Sequence, residues 1–248
     1  MANARQRLDR FISAATQIPR GDVRKLVAAR RITVDGDFAC DAGLLVNYFS
    51  HITLDDKTLQ QNPRRYYLLH KPAGVVSATT DETHPTVIDL LRTSGVSDCA
   101  LKDLHIAGRL DRSSTGLLLL TNDGEWSKRM TTPDKNISKV YQVTVEKPMN
   151  YEYIKAFRDG MFFPYEGITT RPAQLEIIDA YSARVTLMEG KYHQIKRMFG
   201  RFRNPVLSLH RVRIGNIELN NDLQPGQFRT LSDREINLSD EEYPQATP

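Results

Sequence analysis

Only two cysteines, Cys40 and Cys99, occur in 248 residues. Their spacing suits neither a disulfide framework nor a metal site, and no Cys/His cluster accompanies them, so no metal is expected. No apolar run approaches the ~20 residues that span a bilayer. The first residues also lack the apolar stretch of a secretory signal. These absences predict a soluble, cytoplasmic chain kept reduced and away from membranes. A phosphate-loop lysine motif and the glycine triplet of dinucleotide-binding folds are both missing, which argues against a nucleotide cofactor. No internal repeat is evident. Charge of one sign is scarce in bulk as well: Lys plus Arg number 34 and Asp plus Glu 30, so the net charge is 34 − 30 = +4.

What is present is more pointed. A hydrophobic content of 40% is enough for an ordinary core, in one large domain or two smaller ones. The distribution of charge says more than its sum. Basic residues crowd the N-terminal stretch (Arg5, Arg7, Arg10, Arg20, Arg24, Lys25, Arg30, Arg31) and the segment from Lys191 to Arg213. Acids collect near the end at Asp240, Glu241 and Glu242. Two basic zones suit a polyanionic partner such as RNA, although a charge run is more often plain solvated surface.

The stretch from His105 to Gly124 is the most informative. Asp111 lies two residues from Arg109 and next to Arg112. A small polar turn, Ser113-Ser114-Thr115-Gly116, follows, and then Leu117-Leu118-Leu119-Leu120. That leucine run reads as a strand buried on both faces. An acid on a loop tied so closely to the core, among cations, is well placed to stay ionised and aimed at a substrate. Gly108 and Gly116 would let the loop bend.

Residues 1–60 read as a small α+β module. A helix begins at Arg7-Leu8-Asp9-Arg10, and a second runs from about Gly21 to Arg30, with Val23, Leu26 and Val27 on an apolar arc and Arg20, Arg24 and Arg31 beside it. Ile32-Thr33-Val34 then forms a strand ending in the Asp35-Gly36 turn. Gln60-Gln61-Asn62-Pro63 reads as linker, with residues 61–63 between the two parts. From residue 64 to 248 strands dominate: Tyr66–His70, Val75–Ala78, Gly116–Thr121, Val140–Glu146, Ala173–Ile178, Ala183–Met188 and Val206–Val212. Helices are expected over Thr86–Leu91, Gly124–Thr131, Tyr151–Phe157 and Tyr192–Arg201. The fold class is α+β, with a mixed, largely antiparallel sheet flanked by helices.

Gly108-Arg109-Leu110-Asp111 with Thr115-Gly116-Leu117 resembles the signature of bacterial ribosomal-RNA pseudouridine synthases, in particular the RsuA-like family. Tyr67-Leu68-Leu69-His70-Lys71-Pro72-Ala73-Gly74, Lys139-Val140-Tyr141-Gln142-Val143 and Glu189-Gly190-Lys191-Tyr192-His193-Gln194-Ile195-Lys196-Arg197 agree with it in order and spacing. The N-terminal pattern resembles an S4 RNA-binding domain. The resemblance implies an S4-like module followed by a pseudouridine synthase domain. It implies an enzyme that breaks the uridine C1′–N1 bond, turns the base and rejoins it through C5, without a cofactor.

On that resemblance Asp111 is the catalytic carboxylate, acting as nucleophile at C1′ or in elimination through the 2′ position. Tyr141 stacks on the base or shuttles the C5 proton, and Lys196 is the cation that pairs with Asp111, with Arg197 as the other choice. Arg109 inserts where the uridine is extruded. Arg112, Lys191 and Arg197, with Arg20, Arg24 and Arg31 of the N-terminal module, contact RNA. His193 and His210 are given structural roles only. After Phe199 the segment Gly200-Arg201-Phe202-Arg203-Asn204-Pro205 departs from the small glycine-containing turn common in relatives. His84-Pro85-Thr86-Val87 resembles the branch acting on small-subunit 16S rRNA, which implies the uridine 516 site and, as surroundings, an assembling small-subunit particle and a monomeric enzyme. A 23S rRNA target, or an inert rRNA-binding assembly protein, remains the alternative. A glycoside hydrolase would want a second acid at a set distance, and the only nearby candidate, Asp123, sits in a turn.

Overall fold

The structure is a computed structural model and describes residues 5–237. The acidic cluster at Asp240, Glu241 and Glu242 lies outside the described residues. The chain divides into two compact units. One runs up to Arg65 and includes Asn122–Glu125; the other holds Tyr66–Thr121 and the residues from Trp126 onward.

In the first unit two helices, Leu8–Thr16 and Arg20–Ala28, pack through residues spaced four apart, Leu8 with Ile12 and Val23 with Val27. They cover a four-stranded sheet in the order Asp37–Phe38, Ile32–Val34, Ile52–Leu54, Lys57–Gln60. Asp35 and Gly36 both have positive φ, as a tight Asp-Gly hairpin turn requires. Gln60 ends a strand, and its side chain donates to the carbonyls of Asn47 and Ser50 at 2.8 Å. Asn62 likewise donates to Tyr48 O at 2.9 Å.

The second unit is built on one sheet. Its main path runs Gln174–Ile177, Ser182–Leu187, Lys139–Val145, Val206–Ile214, Thr115–Thr121, Tyr66–Lys71, Phe228–Thr230. Every pairing on the path is antiparallel except that of Val206–Ile214 with Thr115–Thr121. The leucine run is covered on both faces. Leu118 and Leu120 enter a large core with the helices Val87–Thr93, Tyr151–Asp159 and Gln194–Gly200, while Leu117 and Leu119 pack with Trp126 and Met130 of the helix Gly124–Thr131. Residues alternate faces along a strand, so four successive leucines can all be buried only when both faces are covered.

Two expected elements differ. Val75–Ala78 is not a strand. Gly74, at φ +87°, turns the chain away from the sheet, and Val76 instead exchanges backbone bonds with Pro85 and Val87 in an isolated bridge to Thr86. Its apolar residues are used against the start of the helix Val87–Thr93, which Thr86 and Asp89 close with a capping box. The helix expected from Tyr192 begins at Gln194, because His193 takes the left-handed conformation at φ 49°. The divergent segment after Gly200 is held by packing. Arg203 supplies the positive φ, Phe202 stacks on Tyr153 at 3.9 Å, and buried Asn204 bonds both backbone groups of Lys147.

Candidate active site

Asp111 lies on the loop between the strands His105–Ala107 and Thr115–Thr121. Lys196 Nζ donates to Asp111 Oδ2 at 2.8 Å, and His193 Nε2 lies 3.1 Å from Oδ1. The three side chains are 27%, 29% and 37% exposed, so the cluster is held firmly yet open to a ligand. Each carboxylate oxygen keeps a further lone pair for chemistry. His193 is the residue that precedes the helix and Lys196 is the third residue in it, so both side chains come to the same end of that helix and reach Asp111. Tyr192 stacks on the His193 ring at 3.9 Å and fixes its plane. Lys196 rather than Arg197 meets Asp111. Arg197 turns the other way, pairs with Glu166 and lies 3.8 Å over the Phe163 ring.

The loop's backbone is tied down at almost every residue. Arg211, 2% exposed, donates to Gly108 O and Leu117 O at 2.8 Å and to Arg109 O at 3.4 Å. Ser77 Oγ donates to Leu110 O and accepts from Leu110 N. Lys71, fully buried, donates to Ser114 O at 2.7 Å and Arg112 O at 3.3 Å, and Gly74 N also donates to Arg112 O. Lys71-Pro72-Ala73-Gly74 is therefore the floor under the Asp111 loop. Gly108 and Gly116 both sit at positive φ, +91° and +103°. Gly116 also needs its missing side chain, since a Cβ there would stand 2.2 Å from Arg211 O.

Tyr141 is 8% exposed and faces the same place. A bulge in the pairing of Lys139–Val145 with Val206–Ile214 sets Tyr141 opposite Arg211, whose Nη1 is 3.5 Å from the phenol oxygen. Asp111, Tyr141 and Arg109 line two adjoining cavities of about 90 and 520 Å³. Leu187, Ile195 and Leu209 give the smaller one an apolar wall beside Arg109, Asp111, Lys191 and His193. A carboxylate, an aromatic ring and an apolar wall around a small opening fit a flat ring presented beside its sugar. Arg112 and Lys191 line the larger cavity. Arg112 is exposed and bonded to His84, whereas Lys191 pairs with buried Glu189 at 3.0 Å.

Arg20, Arg24 and Arg31 are all exposed in the first unit, with Arg31 paired to Asp55. The expectation of free phosphate contacts therefore fits Arg20 and Arg24 better than Arg31, Lys191 or Arg197, whose charge is already met by an acid. Asp123 accepts from Glu125 N at 3.0 Å at a helix start, a capping role. His210 bonds Thr115 Oγ1 at 2.8 Å, and burial, with His70 beside it, lowers its pKa, as suits a structural ring. His193 is the correction: read as structural, it reaches Asp111 directly.

Two buried lysines flank this region. Burial pushes Lys71 from the usual 10.5 down to about 8, with Asp111 opposing the shift and Arg211 adding to it. Burial, with Arg211 again, pushes Lys139 down to about 8. Between those values and 10.5 the unfolded chain binds more protons than the folded one, so stability rises with pH across that window. At and below pH 8 the full penalty of two buried ammonium groups is present. Denaturant titrations are expected to show the gap in stability between Lys139→Met and wild type shrinking from pH 8 to pH 10. A gap that does not change with pH would contradict the burial of a charged Lys139.

A sequence model of the family described as RNA pseudouridylate synthase matches residues 65–200. Ribosomal small subunit pseudouridine synthase A of Pseudomonas aeruginosa is 49% identical over 231 residues, 93% of this chain and 98% of the relative. The protein of that name from Escherichia coli K12 is 40% identical, with the same coverage of both chains. A solved structure described as a crystal structure of pseudouridylate synthase superposes with a TM-score of 0.66 at 35% identity, covering 93% of this chain and 97% of that one.

Proposed function

Because the chain belongs to the RNA pseudouridylate synthase family and is an RNA pseudouridine synthase, we propose that it converts one uridine of small-subunit 16S ribosomal RNA, at the uridine 516 site, to pseudouridine. The small-subunit target is supported by relatives that carry that description and match along nearly their whole length. The observation that carries the chemistry is the Asp111 carboxylate, gripped by Lys196 and His193 in a small pocket with one apolar wall.

Breaking C1′–N1 builds positive charge on the sugar and negative charge on the base. Asp111 answers the first, either by bonding to C1′ or by taking the 2′ hydrogen, and both routes start with its oxygen against the sugar. Lys196 and His193 hold the carboxylate oriented. Tyr141 packs against the uracil ring, and after C1′–C5 forms, the C5 proton leaves and N1 gains one. Extrusion of the uridine costs roughly a few kcal/mol, which Arg109 offsets by filling the gap in the helix. No step needs a redox group or an activated phosphate.

RNA carrying tritium at uracil C5 tests this reading, since C5 loses its hydrogen when it bonds to C1′. One equivalent of tritium per 16S molecule is expected in water; none would refute it.

The first unit serves as an S4-like RNA-binding module that presents Arg20 and Arg24 to phosphates, with the enzyme acting as a monomer on an assembling small-subunit particle in the cytoplasm. Replacing both arginines with Gln is expected to lower the slope of log K against log salt by up to about two. An unchanged slope would remove RNA binding from those arginines.

A further inference from the structure

Buried cations are ordinarily paired, because an isolated ammonium away from water is costly. Lys139 breaks this rule. It is 8% exposed, its Nζ opens only to the larger cavity, and among the described residues that atom has no hydrogen-bond or ion-pair partner. Its main charged neighbour is a second cation, Arg211. Both line the larger cavity. The only acids on that wall are Asp111 and Glu189, and both are committed elsewhere. Asp111 is held by Lys196 and His193. Glu189 is held by Lys191, by Gln194 Nε2 at 2.8 Å and by Arg171 N at 2.9 Å. With Arg109 and Arg112, the wall carries five cations against two carboxylates. A cavity so charged is built for an anion.

The two cavities divide the nucleotide. The smaller one sets Tyr141 and the apolar side chains Leu187, Ile195 and Leu209 beside Asp111, which suits the base next to its reacting sugar; Lys139 is not on its wall. Lys139 and Tyr141 are two apart on one strand and so face the same side. A base resting against Tyr141 places the nucleotide's backbone toward Lys139. From this we infer that Lys139 is a phosphate-binding residue whose ammonium pairs with one of the two phosphodiesters flanking the everted uridine. This rests on the reading of the site as a pseudouridine synthase. The lysine is stored unpaired in the free protein and acquires its counter-ion only from RNA, so that part of the binding free energy appears only when the uridine has entered.

The test is a cycle of protein and RNA changes. Wild type and Lys139→Met are titrated with a 16S fragment spanning the target uridine. The probe RNAs carry a neutral methylphosphonate at the 5′ or the 3′ flanking linkage, with a 2′-methoxy group on the ribose before it to prevent cleavage. Matched RNAs keep the charged linkage.

In wild type, one neutral linkage is expected to weaken binding about tenfold, the size of one lost charge-assisted contact. Lys139→Met is expected to bind the charged RNA about tenfold more weakly, with no further loss on that neutral linkage and a salt slope lower by about one. Its unfolding midpoint is expected to rise, because the uncompensated charge is gone; a purely structural lysine would lower it. Equal losses from the neutral linkage in both proteins, or none in wild type, would overturn the inference. Wild-type turnover on unmodified RNA is measured alongside. Its absence would refute the enzymatic reading instead, which keeps the two failures apart.

Discussion

Asp111→Asn is expected to lose at least about a thousandfold in turnover, the scale on which essential catalytic groups act. RNA affinity is expected to stay within about threefold of wild type or to tighten slightly, since one negative charge leaves a cationic cavity. Asparagine has nearly the shape of aspartate and can still accept from Lys196 Nζ and meet His193 Nε2. What it lacks is the full negative charge and the nucleophilic oxygen. Loss of rate without loss of binding therefore isolates the chemistry from the fold. The result is read from tritium release under single-turnover conditions and from binding in parallel. A variant retaining a tenth of wild-type turnover would assign the reaction to another group. A variant losing both rate and affinity would make Asp111 a binding or structural residue.

Gly116→Ala is expected to cost at least about 3 kcal/mol of stability, the range for a side chain forced against backbone at positive φ. The added methyl would meet Arg211 O at 2.2 Å and Arg211 N at 2.7 Å, with φ at +103°. Both obstacles are backbone, so no side chain can swing away. Relief would require parting Thr115 and Gly116 from His210 and Arg211, the one parallel contact on the sheet's main path. For a chain of this length such a loss lowers the unfolding midpoint by roughly 6–12 °C. Activity at low temperature, where the variant remains folded, is expected to fall as well, because Arg211 also holds Gly108 O and Leu117 O on either side of Asp111. A folded variant with wild-type melting and full turnover would show that this close approach is unimportant.

The sequence made the acid, its loop and the buried strand legible, because all three are local. Asp111 comes shortly after Gly108, precedes a polar turn and is followed beyond that turn by four leucines, and each feature has a short-range meaning. The partners that hold the loop were not legible. Lys71 lies just past one predicted strand and Arg211 inside another, and nothing local marks these charged residues as buried. Their acceptors are backbone carbonyls 41 to 43 and 94 to 103 residues away. Lys139 was hidden for the same reason, as its burial depends on the strands at both sides.

His193 had a usable signal. It stands three residues before Lys196, at the entry to the same helix, and that cation was already in view. Val75–Ala78 misled because alternating apolar residues suit a strand, while the turn at Gly74 carries them onto a helix start instead. Arg197 shows the limit of counting charge, since the acid that occupies it, Glu166, is 31 residues away.

The central claim is that this chain installs pseudouridine in 16S RNA through Asp111. The most direct measurement maps pseudouridine at single-nucleotide resolution in ribosomal RNA from cells lacking the gene, complemented with wild type or with Asp111→Asn. The account predicts one 16S position that loses its modification in the deletion, regains it with wild type and stays unmodified with the variant. A deletion strain whose 16S modifications are unchanged, or a site restored equally by both proteins, would contradict it.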